Sequence, residues 1–399
     1  MPREGPSRLL RSILHRIWPW KQQGRKDTGD GDHQAGTDAS SVVRVTPTKS
    51  TAGSSLTEQR ASFKYRPLEL PTAIRIVVLR RGSGNDPIEC RLLHIDRGEI
   101  PYEALSYEWG LPSNYDPFIS VDGCHVRVRT NLRDALMQIR LKEKNRYIWI
   151  DALSIDQVNT EERNHQVQMM GNIYKGAEQV IVWLGPAKDD SDFVMDMFAD
   201  TRSLARGLDG FQKTQFKAFT ALCQRSYWRR VWVVQEMFLA QRWIVHCGSK
   251  SISDTNLDES LATIARSSNR HSKKSVMSLA HTHIIWKHRL GENFHTLHQW
   301  LRLCVNAQFE STEPRDFIYA LLGVANDCRN GQLLPDYKKP LLEVYLETVA
   351  LCNRGGEVGA DFARRLAEKV GLTFDENVQR LISEFNTGTA GRGLDLMAP

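Results

Sequence analysis

Apolar runs separated by polar turns mark out strands and helices between residues 65 and 250. AIRIVVLR, IECRLLHID and EALSY have strand composition, and ISVDGCHVRVR indicates a hairpin that turns at Asp122-Gly123. RYIWIDAL and VIVWLG are nearly continuous apolar runs, which are typical of strands covered on both faces. Helices are predicted between them, one capped by Asn131 and one capped by Asn159 or Thr160. The alternation predicts an α/β fold whose mostly parallel sheet is flanked by helices, similar to flavodoxin in type.

The pattern changes on both sides of this segment, and it predicts four regions. Residues 1–64 form a basic, disordered tail that contains a short amphipathic helix, SRLLRSILHRIWPW. The α/β domain covers residues 65–250, a helical extension covers 251–355, and a divergent C-terminal tail covers 356–399. The N-terminal helix could contact a membrane surface weakly or serve as a mitochondrial transit peptide, and a solvated tail is the alternative.

Charge and cysteine content exclude several classes of protein. Residues 1–26 hold seven basic residues against Glu4 alone, which accounts for the whole formal net charge of +6. The balanced remainder argues against a nucleic-acid-binding surface. The seven cysteines include no CxxC pair, and the chain has no apolar run of membrane-spanning length. We therefore expect a reduced, cytoplasmic protein without a transmembrane segment.

Common catalytic and metal-binding signatures are missing. No GxGxxG, GxxxxGK[ST] or GxSxG motif occurs. His281, His283 and His288 lie close together in the sequence, but only the first and last would share a helix face. We predict neither a metal site nor a resident cofactor, and Cys247 reads as a buried, inert thiol.

The candidate site lies where the predicted parallel strands end, because ligands of open α/β sheets bind outside the carboxyl ends of the strands. Aromatic, acidic and amide side chains collect there and suit a polar ligand that carries a ring. The alternative is structural, since tryptophans fill cores and acids cap helices. The residues concerned are Ser106, Tyr107, Glu108 and Trp109 after one strand, Asp151, Ser154, Asp156 and Gln157 after the next, and Trp183 and Gly185 after the third.

Glu236 raises the sharpest question in the sequence. If SYWRRVWVVQEMFLA is one helix, Glu236 lies at the edge of a tryptophan stripe on a mostly buried surface, and Gln235 lies between two apolar stripes. A buried carboxylate without a partner is costly, so it needs either an ion pair or a chemical role. Arg229, two turns earlier on nearly the same side, is the predicted partner.

Three segments resemble the fungal heterokaryon incompatibility (HET) domain. They are YEALSYEWG, IWIDALSIDQVNTEERNHQVQMMGNIYKGAEQVIVWLG and RSYWRRVWVVQEMFLAQRWIVHCG, in the family's order and spacing. Glu108 stands where the family more often has an apolar residue, and Ser154 where it more often has cysteine, which argues against cysteine chemistry there. The resemblance implies fungal non-self recognition and programmed cell death, and a distant similarity to TIR domains.

Some TIR domains cleave NAD with a glutamate in a W-x-x-x-E context, and Trp232 and Glu236 match that spacing. The resemblance then implies Glu236 as the catalytic residue, stabilising an oxocarbenium-like centre while nicotinamide leaves. Under this hypothesis NAD is a substrate and not a cofactor. The implied substrate-binding residues are Ser106, Tyr107, Trp109, Asp151, Asp156, Gln157, Trp232 and Gln235.

The alternative is a non-enzymatic, TIR-like module that signals by self-association or through another incompatibility protein. Glu236 would then form a structural ion pair with Arg229 or with another arginine. The two hypotheses differ in one observable feature. A catalytic Glu236 should line an open pocket beside the strand ends, whereas a structural one should be covered by an arginine.

Overall fold

One mixed sheet of nine strands forms the centre of the protein. The computed structural model describes residues 63–200, 212–266, 296–307, 309–355 and 358–386. The strands lie in the spatial order β5-β4-β2-β1-β6-β3-β7-β8-β9. They are β1 (Ala73–Leu79), β2 (Glu89–Asp96), β3 (Glu103–Tyr107), β4 (Phe118–Val121), β5 (Cys124–Arg127), β6 (Arg146–Trp149), β7 (Gln179–Trp183), β8 (Trp243–Cys247) and β9 (Lys250–Ser253).

The four strands β6, β3, β7 and β8 run parallel and next to each other, which confirms the predicted α/β class. The outer part is mixed, because β1–β2, β1–β6, β4–β5 and β8–β9 pair antiparallel. The predicted hairpin is confirmed between β4 and β5. Asp122 and Gly123 have φ values of 50° and 80°, as a two-residue turn with two left-handed positions requires.

Helices cover both faces of the sheet, and every described element after β9 is helical. The boundaries of the four predicted regions stay predictions, but the change from strands to helices falls after Ser253. The helices are α1 (Thr130–Ile139), α2 (Asp151–Ser154), α3 (Thr160–Gly176), α4 (Ser191–Ala199), α5 (Lys213–Cys223), α6 (Trp232–Phe238), α7 (Asp254–Arg266), α8 (Leu297–Asn306), α9 (Asp316–Leu322), α10 (Leu341–Cys352), α11 (Ala360–Lys369) and α12 (Glu376–Asn386), with 3₁₀ turns at Ser226–Arg229, Asn326–Cys328 and Asn353–Gly355.

Alternate residues of β3 face two separate cores. Leu105 and Tyr107 pack in the smaller core, which α1 covers. Ala104 belongs to the larger core, which contains α3, α6 and the helices from α8 to α12. Period-two alternation therefore directs Ser106 toward α6 and Tyr107 toward α1. This alternation places polar side chains from one strand end on both sides of the sheet.

Of the two predicted helix caps, one needs correction. Asn131 does not cap α1, because that helix begins at Thr130 and Asn131 lies inside it. Its Nδ2 donates to the carbonyl oxygen of Glu108 at 2.6 Å, and its Oδ1 accepts from Trp183 Nε1 at 2.9 Å. By contrast, Asn159 caps α3 as predicted, accepting from the backbone N–H of Glu162 at 3.2 Å.

The segment from Ser226 to Ala240 is not one continuous helix. A 3₁₀ turn covers Ser226–Arg229, and α6 begins only at Trp232. Between them Arg230 has extended geometry, with φ −64° and ψ 128°. The backbone N–H of Val231 donates to the carbonyl of Glu310 at 2.9 Å. A partner distant in sequence interrupts the helix, so the predicted stripes do not run through it.

Several predictions lie outside the described residues. They concern the N-terminal tail and its amphipathic helix, and the group His281, His283 and His288. Parts of the predicted C-terminal tail are described, and α11 and α12 contribute Leu366 and Val378 to the larger core. Among the described helices, none has the length and apolar composition needed to span a bilayer.

Candidate functional site

Glu236 and Ser106 meet at the carboxyl end of β3. Ser106 is the penultimate residue of that strand and Glu236 lies in the middle of α6. The Ser106 hydroxyl hydrogen-bonds to Glu236 Oε2 and lies 2.5 Å from the Tyr227 hydroxyl. All three side chains are buried, each in a residue about 1% exposed. Burial, followed by the nearby charge of Glu236, raises the pKa of Tyr227 far above its usual range.

Arg230 covers Glu236 from the solvent side. Its Nη1 donates to Glu236 Oε2 at 3.3 Å, and side-chain exposure is 17% for Arg230 and 1% for Glu236. Burial opposes the positive charge of Arg230, but the facing Glu236 more than offsets it, so the pKa of Arg230 is raised. Glu236 therefore makes a closed ion pair and does not line an open pocket.

The predicted partner, Arg229, is wrong by one residue. Its Nη1 lies 3.5 Å from Glu310 Oε1, and both of those side chains are about half exposed. The prediction failed because it assumed an unbroken helix through residues 229–236. The extended geometry at Arg230 turns that side chain, and not its neighbour, toward the carboxylate.

Asp151 is the second carboxyl group of the site, at the first residue of α2 after β6. Its Oδ2 accepts from Trp109 Nε1 at 2.8 Å, and its Oδ1 accepts from the backbone N–H of Ala152 at 2.7 Å. Burial and then the charge of Glu236 raise the pKa of Asp151 to about 6, against the lowering effect of Trp109 and Arg230. Trp109 is 37% exposed, so the Asp151 side of the site is the one closer to solvent.

Tyr107 and Gln157 border the same carboxyl group. The Tyr107 hydroxyl is buried near Asp151 without a hydrogen bond of good geometry. Burial, followed by the charge of Asp151, raises the pKa of Tyr107 well above its usual range. Gln157 Nε2 donates to the carbonyl of Asp151 at 3.0 Å. The structure thus brings together six predicted residues: Ser106, Tyr107, Trp109, Asp151, Gln157 and Glu236.

The other three predicted residues make contacts elsewhere. Asp156 Oδ1 accepts from the backbone N–H of Val158 at 3.2 Å, in the turn that leads into α3. Trp232 Nε1 donates to Asp316 Oδ2 on α9 at 3.0 Å. Gln235 packs at the close approach of α3 to the end of α9, where its Oε1 lies against Gly323. Contact of these three residues with a substrate stays a prediction.

Sequence reasoning missed Tyr227 and Arg230 as members of the site. Tyr227 lies among the apolar residues of SYWRRVWVVQEMFLA, and Arg230 is one of two adjacent arginines in that segment. The adjacent pair Arg229-Arg230 beside an isolated buried carboxylate was the available signal, and it did not show which arginine faces inward. Ser154 is also structural, since its buried Oγ accepts from the backbone N–H of Ile150 at 3.1 Å.

The arrangement offers two carboxyl groups in different environments, the setting from which acid and base roles arise. Glu236 is ion-paired and buried, whereas Asp151 has a raised pKa and an exposed indole beside it. Within the part of the chain that the structure describes, no group of three His, Cys, Asp or Glu residues is arranged to bind a metal ion. The groups that the structure brings together at these strand ends are carboxyl, hydroxyl, indole and guanidinium groups.

Comparison with known proteins places this site in a family segment. The family model described as heterokaryon incompatibility protein (HET) matches residues 102–236, which extend from just before β3 to Glu236 itself. The Neurospora crassa protein named heterokaryon incompatibility protein 6, OR allele, is 27% identical over 69% of this chain and 51% of its own length. The chain thus spans about half the length of that relative. No solved structure matches the chain.

Proposed function

We propose that this chain, a heterokaryon incompatibility domain protein, acts in fungal heterokaryon incompatibility. The Neurospora crassa relative is named for this process. The proposed role is non-self recognition between fusing cells, with programmed cell death as its outcome. Within it, the α/β domain works as a TIR-like module that signals by association with a second copy of the chain.

The burial of Glu236 beneath Arg230 is the observation that favours an interaction module over an enzyme. A catalytic carboxylate has to reach the reacting atom of a substrate within about 3 Å. Glu236 is about 1% exposed, and Ser106 and Arg230 already occupy its Oε2 atom. Its role in the proposed function is to neutralise Arg230 and to hold β3 against α6.

The loop between β3 and β4 supplies a surface for the association. Leu111 is 87% exposed and Tyr115 is 94% exposed, and they lie in the same loop as the half-exposed Trp109. Exposed apolar groups of this size are typical of interaction sites when they occur together. Residues 109–115 (WGLPSNY) carry no charge, and Asp116 beside them is paired with Arg129, so two copies can approach through this stretch with little like-charge repulsion. An isologous dimer would use the same loop from both chains.

The test is the concentration dependence of mass for the full chain, measured by analytical ultracentrifugation. The double variant Leu111→Asp, Tyr115→Asp places two negative charges in the interface, and we expect the dimer dissociation constant to rise at least about tenfold. Leu70→Asp is the control, since Leu70 is also an exposed apolar residue and lies in the segment before β1. A monomeric parent chain, or equal weakening by both variants, would refute the module.

NAD glycohydrolysis is the second candidate, and Asp151 is the observation that favours it. A carboxyl group with a pKa of about 6 beside a charged one is the pairing that glycosidic cleavage uses. In that reaction the bond between nicotinamide and the ribose C1 atom breaks, and water supplies the hydroxyl and the proton of the products. Arg230 would first have to leave Glu236, because the ion pair occupies the position that a ribose would need.

Nicotinamide release by the purified full chain at high protein concentration tests this candidate. The comparison variants are Glu236→Gln and Asp151→Asn, which preserve side-chain size. Release by the parent chain and loss of at least about a hundredfold in both variants would establish the hydrolase. Equal, background-level release from all three folded proteins would remove it.

A further inference from the structure

Two contacts on either side of Arg230 come from residues beyond the segment that the family model matches, which ends at residue 236. The first attachment is Glu310, in the stretch between α8 and α9. Its backbone N–H donates to the carbonyl of Arg229 at 2.6 Å, and its carbonyl accepts from the N–H of Val231 at 2.9 Å. Glu310 therefore holds the backbone on both sides of Arg230, as a single residue of parallel bridge.

The second attachment is a partly buried polar group around Asp316, the first residue of α9. Its Oδ2 accepts from Trp232 Nε1 at 3.0 Å, and its Oδ1 accepts from the Tyr337 hydroxyl at 2.6 Å. Arg163 of α3 lies over the Tyr337 ring, 4.0 Å from the ring centroid. A carboxylate that accepts two such bonds holds both donors firmly, because hydrogen bonds to a charged group are stronger than those between neutral groups.

A loop of the helical region is tied to the α/β domain at the same place. Asn164 of α3 donates from Nδ2 to Asp336 Oδ1 at 3.1 Å, and its Oδ1 accepts from the N–H of Tyr337 at 3.1 Å. Tyr337 is thus anchored to α3 through its backbone and to Asp316 through its hydroxyl. These bonds place Asp316 against the first residue of α6, four positions before Glu236.

We propose that residues 309–337 act as a clamp that holds Arg230 closed over Glu236, and that displacing this clamp exposes the Asp151–Glu236 pair. The backbone of Arg230 lies between the two attachments, at Glu310 and at Trp232. While both attachments hold, the start of α6 cannot shift and carry the Arg230 side chain away from the Glu236 carboxylate. A partner that binds the helical region could therefore change the state of a site in the α/β domain.

The clamp itself is a property of the fold, while its consequence for signalling or for NAD cleavage rests on the proposed function. The clamp residues belong to the segment after β9, in which α9 packs directly on α6. Such coupling requires an element with two positions. One region shifts the equilibrium between the two positions, and the shift changes the site in the other region. Hydrogen exchange follows the local opening of residues 231–238 alone, so this test does not depend on dimer formation or on catalysis.

Hydrogen exchange of the full chain, followed by mass spectrometry, tests the clamp. Asp316→Asn removes the charge that holds Trp232, and we expect about tenfold faster exchange for amides 231–238, as for the loss of one charge-assisted hydrogen bond. Peptides from β1 and β2 report on global opening. Glu343→Gln is the matched control, because Glu343 is also in the helical region and forms a partly exposed pair with Lys339 at 3.6 Å.

Trp232→Phe is the second variant, and it removes only the indole donor while an aromatic ring remains. It keeps the test decisive if Asp316→Asn unfolds the chain as a whole. Faster exchange confined to residues 231–238 in either variant, with the control unchanged, supports the clamp. Unchanged exchange there in both folded variants, or acceleration equal to that of β1 and β2, overturns it.

Discussion

Replacing Glu236 by glutamine tests the structural role of this residue most directly. Glutamine keeps the volume of the side chain and an oxygen that can accept from Ser106. It removes the negative charge that faces Arg230 at 3.3 Å. The guanidinium then remains mostly buried with Asp151 as the other nearby anion. We therefore expect a loss of stability that comes from one unpaired positive charge and not from packing.

The size of the loss follows from the geometry. Two unit charges 3.3 Å apart attract by about 5 kcal/mol at an effective dielectric constant of 20. Breaking a buried pair by removing one partner costs about 3–5 kcal/mol in measured cases. Arg230 retains 17% exposure and can still interact with Asp151, which lowers the cost. The expected decrease in the free energy of unfolding is thus about 2–3 kcal/mol.

Urea unfolding of the full chain, followed by tryptophan fluorescence and by circular dichroism, measures this difference. The variant Arg230→Gln and the double variant complete a thermodynamic cycle, in which we expect a coupling of about 1–2 kcal/mol. Glu89→Gln is the control, because the Arg80–Glu89 pair is exposed and should contribute less than about 1 kcal/mol.

A Glu236→Gln variant that is as stable as the parent, or more stable, would refute this reasoning. Catalytic groups are often held in unfavourable environments, so their removal commonly stabilises a protein. A gain in stability would therefore move Glu236 from the structural ion pair to the catalytic hypothesis. The sign of the change separates the two hypotheses even before any activity is measured.

Two further predictions concern the surroundings of the site. Because the pKa of Asp151 is raised to about 6, the folded state binds more protons than the unfolded state between about pH 4 and pH 6, and the ionised carboxylate lowers stability above that range. Asp151→Asn should therefore raise stability by about 1 kcal/mol at pH 7.5, with the gain absent at pH 4.5; thermal unfolding at both pH values checks this, and a gain independent of pH would contradict it. Gly323→Ala should lower stability by about 1–3 kcal/mol, since its Cβ would lie 2.0 Å from Gln235 Oε1 and 3.1 Å from the Cα of Gly171. Gly359→Ala, with open space around its Cβ, is the control in the same unfolding assay, and equal effects of the two changes would be inconsistent with the packing argument.

Local patterns in the sequence determined the elements and their approximate meeting point. The periods of two and 3.6 residues identified the strands and helices, Asn159 marked the start of α3, and Asp122-Gly123 marked the hairpin. Parallel strands end at a common edge, so Ser106 and Asp151 could be placed near each other without coordinates. These inferences succeed because they depend on interactions between residues close in sequence or on the direction of a strand.

Only the tertiary structure decided which groups touch inside that edge. Arg230, and not Arg229, faces Glu236 because Glu310 pairs with the backbone on both sides of Arg230 and breaks the helix there. Trp232 turns to Asp316 for the same kind of reason, since the carboxylate that accepts from its indole lies on a helix that begins 84 residues later. Such contacts join distant parts of the chain, and no local periodicity encodes them. The sequence by itself determined a buried glutamate that needed a partner, and the packing of the helical region on the sheet domain decided that an arginine would cover it.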